Sequence, residues 1–269
     1  MDILLINLDA SQDRLAFQQQ QFARLGLCFK RLSAVSVDEI TEDEYERLAY
    51  SWERPLRRTE LACFKSHRQA WKEVARQKRP CLIVEDDVLI SNKIAGILEG
   101  LDQVRGMDHV TLENRCRKKL VSKTPIRSLP YESLLYRLYL DRTGAAAYVL
   151  WPVGAEKLLV SFDEKGPAIA DAFISLNSGL VSGQVEPAPV IQLDMCSCYR
   201  IAGSLVTEST ISNTTIKRPK AATWMDYFVF RLRRLQANFF IAKAHVSNFF
   251  RGTRRFISIR KEDFEEPGL

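Results

Sequence analysis

The chain has 269 residues, 46% of them hydrophobic and 27% charged, with a net charge of +6. That supports one large core, or a core with an appendage, and excludes a disordered or fibrous chain. No uncharged apolar stretch reaches the roughly 18 residues of a membrane span, so no spanning helix is predicted.

The first nine residues lack the basic start and the cleavage site of a secretory signal. They read instead as a strand over 3–8. A helix over 12–25, closed by Gly26, and a strand over 29–35 complete a βαβ start. Residues 39–48 are acidic and form a short helix or loop. A strong helix is predicted over 59–76, with Thr59 as its cap and Leu61, Phe64, Trp71 and Val74 at helical spacing. His67 falls on that apolar stripe and reads as a packed, hydrogen-bonded histidine or a positioning partner rather than a metal ligand.

Next comes Leu82-Ile83-Val84-Glu85-Asp86-Asp87-Val88, an apolar β-branched run ending in three carboxylates. Ligands of open α/β sheets gather at strand carboxyl ends, and adjacent acids call for a hard divalent cation among them. A helix cap or a solvated turn is the competing reading. Further on, a helix is predicted over 94–104 and a strand over 109–113, ending at Glu113. Residues 117–124 read as a basic loop, 145–150 as a small-residue strand and 154–160 as a helix. Asp171 stands alone among apolar neighbours in 167–176, and 185–191 is a proline-interrupted, edge-like strand. Strands alternating with helices over the first 200 residues specify an α/β domain.

The six cysteines show no disulfide-framework spacing, and Cys196-Ser197-Cys198 is too close for a CxxC motif. With only His67, His109 and His245 in the chain, a histidine-based metal set is not expected. Reduced thiols, as in a cytosol, are.

Several fragments together resemble glycosyltransferase family 25, the lipooligosaccharide and collagen-type galactosyltransferases. They are Ile6-Asn7-Leu8-Asp9 with Arg14; Glu60-Leu61-Ala62-Cys63-Phe64-Lys65-Ser66-His67-Arg68 with Trp71; the acidic run just described; Thr143-Gly144-Ala145-Ala146-Ala147-Tyr148 with Gly154, Ala155, Lys157, Leu158 and Leu159; and Ala170-Asp171-Ala172-Phe173-Ile174. They follow the family order over residues 3–193. The resemblance implies a GT-A-like, Rossmann-type nucleotide-sugar-binding fold over 1–204. It also implies an inverting enzyme with a UDP-sugar donor and Mn²⁺ (or Mg²⁺) held by Glu85, Asp86 and Asp87. Asp171 is then the candidate general base, with a helix cap or a metal-side partner as its other readings. Asp9, Arg14, Ser66, Arg68 and Glu113 are candidate substrate contacts. Surface roles stay open for Arg14 and Glu113.

Residues 217–261 hold 12 Lys/Arg against Asp226 alone, so the basicity belongs to the tail. Trp224, Phe228, Leu232, Leu235 and Phe239 recur there among Arg231, Arg233, Arg234 and Lys243. Residues 205–269 therefore read as a basic amphipathic helical extension suited to an anionic membrane surface. A core-packing helix and a nucleic-acid surface are the alternatives, although no nucleic-acid fold motif accompanies the charge. The combined expectation is a hexosyltransferase, galactose being the favoured sugar, acting on a lipid-linked lipooligosaccharide or lipopolysaccharide acceptor. Its place would be peripheral, on the cytoplasmic face of a Gram-negative inner membrane. A non-catalytic sugar-nucleotide-binding protein and a metal-dependent nucleotidyl- or phosphotransferase are the rivals.

Overall fold

The computed structural model describes residues 1–141, 144–201 and 223–264. Thr143, the expected boundary after 204 and the start of the basic segment lie outside the described residues.

The chain opens on β1 (Asp2–Asn7), in which Ile3, Leu4, Leu5 and Ile6 are all buried, as a strand covered on both faces requires. Then come α1 (Gln12–Arg24), turned by Gly26 at positive φ, and β2 (Lys30–Ser33), parallel to β1. The short α2 (Glu42–Leu48) leads into α3 (Arg58–Ala75). Its cap position is Arg57 rather than Thr59, because Glu60 accepts the Arg57 N–H at 2.9 Å. β3 (Cys81–Glu85) carries the apolar run, Asp86 and Asp87 form a turn, and β4 (Val88–Ile90), α4 (Ile94–Asp102) and β5 (His109–Thr111) follow. The rest comprises β6 (Lys118–Ser122), β7 (Arg127–Ser128), β8 (Leu134–Leu140), β9 (Ala147–Leu150), α5 (Pro152–Lys165), α6 (Ala170–Ser175), β10 (Ser182–Glu186), β11 (Val190–Gln192), α7 (Cys196–Tyr199), α8 (Trp224–Ser247) and β12 (Gly252–Phe256).

Ten strands form one mixed sheet in the order β12-β6-β8-β10-β5-β9-β3-β1-β2, with β7 on β8; β4 and β11 form a separate pair. β1, β2 and β3 run parallel, β9 is antiparallel to both β3 and β5, and β10 is parallel to β5. The carboxyl ends of β1, β3 and β5 therefore meet at one edge of the sheet, beside the loop that enters β9. One face packs on α1 and α4 through Leu5, Phe22, Val84 and Leu98. The other packs on α3, α5 and α6 through Leu4, Phe64, Trp71 and Phe173. This mixed α/β layering is compatible with a Rossmann-like fold.

Four expectations are corrected. Residues 117–124 contain a strand and not merely a loop: Lys119 is buried, its ammonium 2.6 Å from Asp141 and 2.7 Å from Gln184 Oε1. The span 185–191 is not one edge strand. β10 lies inside the sheet between β8 and β5, Pro187 falls after its end, and Val190 begins a separate strand on β4. The C-terminal segment is not wholly an appendage, since β12 pairs antiparallel with β6 and Arg255 donates to Glu186 at 2.6 Å. The thiols are not all free. Cys116 and Cys198 form a disulfide where the loop after β5 meets α7, and Tyr199 binds that loop at the Cys116 N–H and the Asn114 carbonyl.

Among the described residues, no helix is long and apolar enough to cross a membrane. α8 stacks Phe230 on Tyr50, and its Arg233 donates to the carbonyls of Tyr50 and Trp52 at 2.6 and 3.0 Å. The opposite side of the helix carries Met225, Phe228, Leu232, Leu235, Phe239 and Val246, all exposed. Trp224 and Phe250 are 78% and 84% exposed.

Candidate active site

The acidic turn is held from two helices. From α1, Arg14, Gln18 and Gln21 share one face. Gln18 Nε2 donates to the carbonyls of Asp86 (3.1 Å) and Val88 (2.8 Å), while Gln21 accepts the Ile90 N–H at 2.8 Å. Arg14 meets Asp86 Oδ1 at 3.1 Å, and Asn7 at the end of β1 donates to Asp86 Oδ2 at 2.7 Å. Asp86 is buried by these contacts. From α3, His67 reaches Glu85. Trp71 Nε1 donates to the Tyr148 hydroxyl at 2.8 Å, that hydroxyl lies 3.0 Å from His67 Nδ1, and His67 Nε2 is 2.9 Å from Glu85 Oε1. Donor counting gives the chain one direction: the Tyr148 O–H donates to Nδ1, and Nε2–H donates to Glu85. Burial keeps the Tyr148 hydroxyl protonated, with its pKa well above the usual phenol value.

Glu85 is a wall shared by two clefts. The first, about 140 Å³, is lined by Arg14, Val35, Thr59, Ser66, His67 and the whole triplet Glu85-Asp86-Asp87. The second, about 170 Å³, holds Asp171, Arg115, Gln192, Glu60 and the Gly144–Ala146 loop. Asp87 is raised to about 7, chiefly because burial penalises its charge and then because Glu85 and Asp86 repel it; Gln192 Nε2, 3.3 Å from both carboxylate oxygens, eases this. Burial also raises Asp171, with the Glu85 charge adding to it, while the Ala172 N–H at 2.7 Å opposes the shift. Three clustered acids with Arg14 as the cation beside them suit a further positive charge. Cys63, His67 and Glu85 also bring one ligand atom each within 4.8 Å of one another, which the sequence reading of the histidines did not foresee. The Cys63 thiol is held neutral there, pushed well up by burial and by the charges of Glu85, Asp171 and Asp87.

The remaining sequence candidates are distributed unevenly. Asp9 is exposed at the end of β1, bound by Arg31 and by Ser33 Oγ (2.9 Å), and lines neither cleft. Ser66 is buried at the wall of the first cleft, where its hydroxyl accepts the Val35 N–H and donates to the Ala62 carbonyl, both at 2.9 Å. Arg68 turns away and stacks on Phe162 of α5 with 4.0 Å to the ring centre. Glu113 is not at a surface. It is fully buried behind the second cleft, accepts the Ala146 N–H at 2.6 Å and lies so close to Gly144 (φ 112°) that a Cβ there would sit 2.8 Å from its Oε1. Burial raises its pKa to about 8, so it is protonated at neutral pH. Arg68 and Glu113 therefore line neither cleft.

Sequence reasoning missed Gln18, Gln21, Gln192 and Arg115. Arg115 pairs with Asp194 at 2.8 Å and lines the second cleft. A glutamine has no periodic or charge pattern to mark it. The 7-residue interval from Arg14 to Gln21 on one helix face was the signal available.

Residues 1–174 match the profile of Glycosyltransferase family 25 (LPS biosynthesis protein). Human procollagen galactosyltransferase 2 is 32% identical over 111 residues, covering 39% of this chain and 17% of that protein. Among solved structures, the inositol-1-phosphate CTP transferase from T. maritima aligns with a TM-score of 0.41 and 10% identity, over 71% of this chain and 88% of that one.

Proposed function

The chain belongs to glycosyltransferase family 25, and from that premise we propose that it is an inverting, metal-dependent transferase of GT-A type. It moves a hexose, galactose by preference, from a UDP-sugar to a lipopolysaccharide-type oligosaccharide. The observation that carries the reading is the position of Glu85 between two clefts, one with the acid triplet and Arg14, the other with Asp171. A displacement with inversion needs a leaving group on one side of the anomeric carbon and an activated hydroxyl on the other.

In this reading the first cleft takes the UDP moiety, and Glu85 and Asp87 would hold Mn²⁺ or Mg²⁺. When bound, such an ion neutralises the charge that develops on the departing diphosphate. Asp86, fixed by Asn7 and Arg14, sets the turn, and His67 orients Glu85. The acceptor hydroxyl enters from the second cleft. Its oxygen bonds to the anomeric carbon as the bond to the diphosphate oxygen breaks, and its proton passes to a carboxylate oxygen of Asp171. The burial that raises the pKa of Asp171 makes its ionised form a stronger base. The exposed stripe of α8, with Arg231 beside it, supports docking on an anionic membrane that carries the acceptor.

The test is incubation of the protein with labelled UDP-hexoses and Mn²⁺, with and without an oligosaccharide acceptor. Metal-dependent transfer or donor hydrolysis is expected. Binding without either reaction would leave only a sugar-nucleotide-binding protein.

A further inference from the structure

A separate cavity of about 300 Å³, the lower end of the range for small-ligand pockets, lies beneath α8 between the helix and the open face of β5, β8 and β10. Its lining is unusual for a gap under a helix. Arg137 on β8 is half-buried there, and among the described residues its one side-chain hydrogen bond goes to the Ser182 carbonyl at 2.6 Å. Among the described residues no carboxylate pairs with it. Asp108 is taken by Lys157 and Asp141 by Lys119, both at 2.6 Å. Burial accordingly pulls the Arg137 pKa below the usual guanidinium value. Lys243 of α8 adds a second cation, again without an ion pair among the described residues. His109 lines the same cavity, and among the described residues neither of its buried ring nitrogens has a hydrogen-bond partner. Burial holds this histidine neutral, with its pKa lowered to about 3, so it offers one donor and one acceptor. Ser178 and Ser182 contribute hydroxyls.

A half-buried guanidinium without a counter-ion is costly, and so is a buried imidazole with both nitrogens unpaired. One ligand chemistry relieves both: a polyhydroxylated molecule that carries an anion. Gly144 belongs to the wall of this cavity and to the wall of the Asp171 cleft, so the two are neighbours. We propose that the cavity beneath α8 is a subsite for an anionic sugar of the acceptor, a saccharide unit bearing a carboxylate or a phosphate. This rests on the transferase reading for its biological meaning, though not for its test. The anion pairs with Arg137 and Lys243, the hydroxyls meet His109 and the serines, and the acceptor chain continues past Gly144 towards Asp171. The subsite selects acceptors by charge at a distance from the reacting hydroxyl.

The experiment is titration calorimetry of the full chain with glucose 6-phosphate, glucuronate, glucose and inorganic phosphate, with UDP titrated into the same samples. At least one anionic sugar should bind about tenfold more tightly than glucose and than inorganic phosphate. Arg137→Gln and Lys243→Gln should each weaken it about tenfold and leave UDP binding unchanged. Lys243 is on the helix surface, so its variant decides the matter if the Arg137 variant does not fold. The proposal is overturned if no anionic sugar binds, if Lys243→Gln binds as the parent does, or if inorganic phosphate binds as well as the sugars. UDP binding that survives such a result leaves the donor reading standing; loss of UDP binding in the parent would instead break that reading alone.

Discussion

The acidic edge of the sheet and the C-terminal helix handle polarity in opposite ways. At the edge, polar groups are buried and almost every one is assigned: Asp86 to Asn7 and Arg14, Glu85 to His67, Asp87 to Gln192, and the turn backbone to Gln18 and Gln21. On α8 the apolar side chains face outward, while Arg233 and Phe240 face the body and leave cavities beneath them. In the proposed reading, the first arrangement fixes the geometry of a small charged ligand and the second presents a surface to something large. Local stability follows the same division, since α8 buries only Phe230.

Substitutions can break that contrast. The largest effect is expected for Asp87→Ala, which should reduce Mn²⁺-dependent transfer to background in a labelled-donor assay. Its melting temperature should not fall, because the change removes a crowded acid; transfer at the parent rate would remove Asp87 from the metal site. Next, His67→Ala releases Glu85 and removes the acceptor of the Tyr148 O–H, which keeps only the Trp71 N–H as a partner. A loss of about 10- to 100-fold in kcat is expected, the scale seen when a ligand loses its supporting hydrogen bond. Unchanged kcat would show that Glu85 needs no such partner.

On the other side of the contrast, Phe228→Ser, Leu235→Ser and Phe239→Ser combined should cut cosedimentation with phosphatidylglycerol vesicles severalfold and leave transfer to a soluble acceptor intact. Truncating the tail is a poorer test, because β12 is part of the sheet. Equal vesicle binding by the triple variant would end the membrane reading. The smallest effect concerns Glu113. Its folded-state pKa of about 8 lies above the ordinary carboxylate value, so the native state holds its proton longer than the unfolded chain does. The stability this contributes is fully present below about pH 4.5 and is lost as pH rises through about 8. Glu113→Gln, which mimics the protonated form, should therefore melt close to the parent at low pH and above it at pH 9. Parallel melting curves at all pH values would contradict the assignment.

The contrast also explains what the sequence could disclose. β1, α1, α3 and β3 were legible because Ile3–Ile6, the Leu61/Phe64/Trp71 stripe and Leu82–Val84 follow the period of their elements and face one core. The strand at Lys118–Ser122 was not, because Lys119 counts as a solvent residue until Asp141 and Gln184 arrive from distant segments. β12 was hidden for a similar reason, as Arg254 and Arg255 belong by composition to a basic tail and by pairing to β6. Of the residues that line the two clefts, Glu85, Asp87 and Asp171 were visible in the sequence as acids where acids are costly. Arg68 and Glu113 line neither cleft, because a place within a helix or after a strand does not state which way a side chain turns. Of the glutamines that hold the acidic turn, Gln18 and Gln21 are marked only by sharing the Arg14 face of α1, and Gln192 by nothing in the sequence.

The most direct test of the two-cleft account is Asp171→Asn, measured for UDP-hexose binding and for turnover on the same preparation. The account predicts donor affinity within a factor of about two of the parent and kcat lower by roughly 10²- to 10⁴-fold, the range for losing a general base. Loss of donor binding would instead put Asp171 on the nucleotide side of Glu85 and contradict the division on which the mechanism depends.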